Sequence, residues 1–116
     1  MGNTALVRAE LSLQADMTYV DSDHLAPALI KYYSEGIEAL DDVEKDRVMT
    51  HFFVAKSRYD AFFYQYELGL LDDDYYRFNF LPSIRYFKPM WEEFDLLADH
   101  NTRPSFKAVI ESVGEY

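Results

Sequence analysis

Metal chemistry in this chain would have to come from three histidines, His24, His51 and His100, and from 21 Asp and Glu side chains, because cysteine is absent. The spacing nearest to a carboxylate–histidine ligand pair is Asp21-x-x-His24. Asp21 stands at a loop-to-helix junction, where a short carboxylate reads as a cap. No His-Glu-x-x-His pair occurs, and Asp72-Asp73-Asp74 lacks the alternating ligands and central glycine of a calcium loop. Nucleophilic chemistry is equally bare. None of the seven serines sits in a Gly-x-Ser-x-Gly elbow, and no two glycines lie close enough to cradle a phosphate. Asp60 and Glu67 flank Tyr64 at helical spacing and could make a polar site, although a solvated helix face needs the same residues. The expectation is no metal, no cofactor and no catalytic residue.

What stands out instead is aromatic content. Twenty of 116 residues are Phe, Tyr or Trp, and ten of them are Tyr. A tyrosine joins an apolar ring to a hydroxyl that needs a partner, so it suits half-buried positions and contact surfaces. Large rings also fill a small core, and Met49 and Met90 serve either purpose.

The elements that would position these groups are all helical. Strand alternation and Asn-Gly or Asp-Gly hairpin turns are missing. A first helix is expected from Asn3 or Thr4 to about Tyr19. A second, capped by Asp21, Ser22 or Asp23 and carrying Pro27 in its first turn, ends near Gly36. The third is the longest. Asp41 and Glu44 make a capping box, and the apolar pattern runs to Leu68 before Gly69. A fourth helix opens on Asp72–Asp74 and is kinked or split at Pro82, a fifth starts at Pro89 and ends near His100, and a last one starts at Pro104. The expected fold is therefore an all-α, single-domain bundle of five or six helices around one long central helix, about 42–68.

That long helix has two apolar flanks when positions advance by about 100° each. One carries Val48, Phe52, Ala55, Tyr59, Phe62, Phe63 and Tyr66. The other carries Phe53, Val54, Ala61, Tyr64 and Leu68. Lys56, Asp60 and Glu67 separate them along one edge; Arg47, His51, Arg58 and Gln65 separate them along the other. A core needs one flank. The second is free to be a contact surface.

The charge balance narrows the partners. Eleven basic against 21 acidic residues give a net charge of −10, which repels nucleic-acid phosphates and anionic membrane surfaces. The longest run without a charged residue, Val48 to Ala55, has eight positions, far below the ~20 of a spanning helix. No secretory pattern opens the chain. The expectation is a cytoplasmic protein that binds neither nucleic acid nor membrane.

The stretch Tyr64-Gln65-Tyr66-Glu67-Leu68-Gly69-Leu70-Leu71-Asp72, then a kinked helix, a Trp-bearing helix (Trp91) and a Pro104-Ser105-Phe106 start, resembles a set of uncharacterised bacterial all-helical domains. The likeness covers about half the chain, Tyr59 to Val113. It implies an all-α fold and brings no activity with it. In many such proteins the domain follows membrane helices; this chain departs by having none.

Two functions follow from the sequence. The first is a non-enzymatic helical interaction module that self-associates, as a homodimer, through Phe53, Tyr64 and Leu68. The alternative is a small-molecule binder or enzyme with an aromatic, acidic pocket that favours cationic or amphipathic ligands. Mimicry of DNA toward a basic partner ranks below both, because the acidic residues are dispersed.

Overall fold

The computed structural model describes residues 24–114, and among them every regular element is helical. The expected first helix and the caps Asp21, Ser22 and Asp23 lie outside the described residues. The elements are α1 (Leu25–Glu35), α2 (Asp42–Glu67), a single turn α3 (Asp73–Tyr75), a π-helical stretch (Tyr76–Phe80), α4 (Leu81–Glu93) and α5 (Pro104–Ser112), with 3₁₀ turns at Ile37–Ala39 and Asp99–Asn101. Four of these helices have nine residues or more.

Start and stop signals explain the long helix. Asp41 Oδ1 accepts from the Glu44 amide at 2.8 Å, and Glu44 Oε1 accepts from the Asp41 amide at 2.9 Å. Two amides that the helix cannot satisfy are thus satisfied reciprocally. Lys31 of α1 adds a 3.1 Å ion pair to the same Glu44 oxygen, tying α1 to the start of α2. At the far end Gly69 takes φ +75°, the Leu70 amide donates to the Gln65 carbonyl and the Gly69 amide to that of Tyr66. That paired arrangement closes the helix where a residue with a side chain would be strained.

Of the two prolines in this part of the chain, Pro89 departs from the sequence expectation. The helix opens at Asp72–Asp74 as expected, with Asp72 as the cap, accepting from the Tyr75 amide at 3.1 Å. The chain then runs from Asp73 to Glu93 without a break, through the π stretch and into α4. Pro82 is the second residue of α4, directly after the wide π turn, where Leu81 bonds back to Tyr76. A π insertion leaves a carbonyl without its usual donor, so the missing N–H of Pro82 falls where the ladder is already shifted. Pro89 does not start a helix; it lies inside α4. The reason is burial on the opposite side: Ile84 and Trp91 are fully buried, Phe87 stacks on Trp91 at 5.6 Å, and Pro89 itself is exposed. The helix stops at Glu93 and not near His100. Asp95 takes φ +55°, and the Leu96 amide donates to Trp91 while the Asp95 amide donates to Glu92.

The core is built from rings. Val48 and Phe52 of α2, Phe80 before α4, Ile84 and Trp91 of α4, and Phe106 and Ile110 of α5 are the largest fully buried side chains. Trp91 donates its indole N–H to the Phe52 carbonyl at 2.9 Å, so the largest apolar group is buried without leaving its one donor unsatisfied. Phe63 touches Phe80 and Phe106 at 6.0 Å, and Tyr59 bridges Phe80, Phe87 and Trp91. The first flank of α2 is therefore core.

Candidate functional site

The second flank of α2 faces outward. Phe53, Tyr64 and Leu68 are 44%, 36% and 49% exposed. The structure brings Tyr64 and Leu68 together, one turn apart, and leaves Phe53 about 16 Å further along the helix. Between them lie the small residues Ser57 and Ala61. Read along the helix, Val54, Ser57, Ala61, Tyr64 and Leu68 alternate spacings of three and four, the pattern of a coiled-coil seam.

At the middle of this seam is a hollow of about 270 Å³ lined by Ser57, Asp60, Ala61, Tyr64 and Arg103. The first four stand at i, i+3, i+4 and i+7, the diamond of side chains that receives a knob from a second helix. Arg103 forms the rim. It is the residue before α5, and Pro104 behind it holds the helix start. Its Nε donates to Asp60 Oδ1 at 2.8 Å, its Nη1 to Glu67 Oε1 at 3.1 Å, and its Nη2 lies 2.7 Å from Asp60 Oδ1. The guanidinium sits 5.4 Å from the Tyr64 ring. These contacts hold its proton more firmly than usual, chiefly through Asp60.

This arrangement decides what Asp60 and Glu67 can do. Both carboxylates are committed to one internal guanidinium, so they are not a pair of acid–base groups open to a substrate. Arg103 itself was not legible as part of the site. Its only advance signal is a cation placed just before a helix-starting proline, and nothing local links it to Asp60, 43 positions away.

Two of the residues that separate the flanks of α2 belong to the interior. Lys56 is 4% exposed and Gln65 3%. The Lys56 ammonium donates to the Leu96 carbonyl at 2.6 Å, to the Asn101 carbonyl at 3.1 Å and to Asn101 Oδ1 at 3.3 Å. Burial lowers its pKa below the ordinary lysine value, with Asp60 acting the other way. Its three donors have three acceptors, so it fastens the segment after α4 and is not poised as a nucleophile. The Gln65 amide nitrogen is buried without a hydrogen-bond partner.

A second concave region lies between α1 and α4. Tyr32, Tyr33, Gly36, Pro89, Met90 and Glu93 line a cleft of about 350 Å³. The Tyr32 hydroxyl donates to Glu93, and the hydroxyls of Tyr33 and Tyr86 lie 3.3 Å apart. Burial is the first cause, and these partners the second, of raised pKa values for Tyr32 and Tyr33.

Among the described residues no group of three or more His, Asp or Glu side chains is placed to hold a metal ion. None of their helices is long and apolar enough to cross a membrane. Compared with protein-family models, with curated proteins and with solved structures, the chain gives no match.

Proposed function

We propose that the protein is a non-enzymatic, cytoplasmic interaction module that forms a homodimer through the outer face of α2. The observation that carries the reading is the four-residue hole at Ser57, Asp60, Ala61 and Tyr64, set in a seam with large residues at one end and small ones in the middle. In an antiparallel two-fold crossing centred on Ala61, Val54 of one protomer meets Leu68 of the other. Tyr64 then falls near Ser57 of its partner and enters the hole. One patch is self-complementary, as a two-fold contact requires. The seam spans about 21 Å, so the contact is a short one between single helices.

Light scattering at tens of micromolar protein tests this beside Phe53→Glu and Tyr64→Glu. The wild type is expected at the dimer mass, and both variants at the monomer mass with unchanged circular dichroism. A monomeric wild type across that range would remove the proposal.

A further inference from the structure

The cleft between α1 and α4 shares no residue with the α2 seam, and its chemistry points to a ligand. We infer that it binds a small quaternary or trimethylated ammonium ion. Tyr32 and Tyr33 supply two adjoining aromatic walls, with centroids 5.4 Å apart and planes inclined by 64°. Ring faces attract a cation through their quadrupole, and the attraction grows as water is excluded. Met90 and Pro89 add polarizable and apolar surface, which suits methyl groups.

Glu93 supplies the charge. One of its oxygens accepts from the Tyr32 hydroxyl, which orients the carboxylate at the cleft wall. No Lys, Arg or His among the described residues pairs with it. Tyr33 is steadied from the far side by the Tyr86 hydroxyl. At the rim, a Cβ added to Gly36 would meet nothing within 4 Å, so the cleft opens to solvent there. Its volume of about 350 Å³ admits a small organic cation. A hard metal cation would need several more oxygen ligands than one carboxylate and two phenols provide. An anion would meet Glu93 and the field of a chain with net charge −10. A diffuse organic cation is the class that fits every wall.

Titration of the full chain with choline chloride, followed by NMR at the Met90 methyl and the Tyr33 ring, tests the inference. Choline is expected to saturate these signals at millimolar concentration. Its neutral isostere 3,3-dimethylbutan-1-ol should bind about tenfold more weakly. Glu93→Gln and Tyr33→Leu should each weaken choline several-fold without altering circular dichroism. Phosphatidylcholine vesicles should not sediment the protein, which separates a free cation from a lipid headgroup. Equal binding of the alcohol, choline shifts indifferent to both substitutions, or vesicle binding without a response to free choline would each overturn it.

Discussion

Arg103 lies across Asp60, with Nε and Nη2 at 2.8 and 2.7 Å from the same carboxylate oxygen, and it reaches on to Glu67 at 3.1 Å. The cluster sits at the rim of the α2 seam and neutralises part of its negative charge locally. The rest of the chain does not share that balance, since each copy carries −10 overall. Two such molecules repel at long range, and added salt shortens that range. Self-association should therefore strengthen between about 0.05 and 0.5 M NaCl, read by sedimentation equilibrium. Association that weakens with salt would mean that attraction between charges, not apolar packing, joins the copies.

Lys56 has a structural task with a measurable size. Its ammonium donates to the carbonyls of Leu96 and Asn101. Lys56→Met keeps the stem and removes the donors. Leaving the buried Leu96 acceptor without its donor should cost about 1–3 kcal/mol in urea unfolding. Amide exchange should quicken over residues 96–102. An unchanged exchange pattern there would show that the segment is held by packing alone.

Pro89 is the one residue of α4 that opposes its own helix. It cannot donate to the Arg85 carbonyl, and its ring crowds that turn. Its surface is exposed, so replacement removes little packing. Pro89→Ala should raise stability by about 1–2 kcal/mol, after allowing for the greater freedom of the unfolded chain. A loss of stability would show that the proline ring contributes more than it costs the helix.

These two residues mark where sequence reading stopped. The start and end of α2 were legible because Asp41, Glu44 and Gly69 act on their own neighbours. The all-helical class and the two flanks of α2 were legible from spacing alone. Pro89 was misread because local preference was overridden by the burial of Ile84 and Trp91. The task of Lys56 was not legible, because its partners lie 40 or more positions away. In the candidate site, Phe53, Tyr64 and Leu68 were visible as a surplus flank. Arg103, and the cleft that Tyr32 and Tyr33 form with Glu93, were not, because each depends on packing between distant helices.

The tyrosines of α1 give a pH test. Both Tyr32 and Tyr33 have pKa values raised above the usual 10.0, by burial first and by Glu93 or Tyr86 second. The folded chain thus holds these protons where the unfolded chain releases them. Their contribution to stability is complete below pH 10 and is lost as pH climbs from there through the folded values. Absorbance at 295 nm should show Tyr32 and Tyr33, with Tyr66 and Tyr76, ionising later than an ordinary phenol, while unfolding free energy falls above pH 10. Tyr32→Phe should remove one late step.

The absence of cysteine allows the crossing itself to be measured. Ala61 lies at the centre of the seam, and the proposed two-fold crossing would bring its Cα near that of its partner, within reach of a disulfide. Ala61→Cys should give a covalent dimer under mild oxidation far faster than Ile30→Cys, an exposed position on α1 away from the seam. Equal rates of cross-linking at the two positions, or none at Ala61, would contradict a homodimer built on this face.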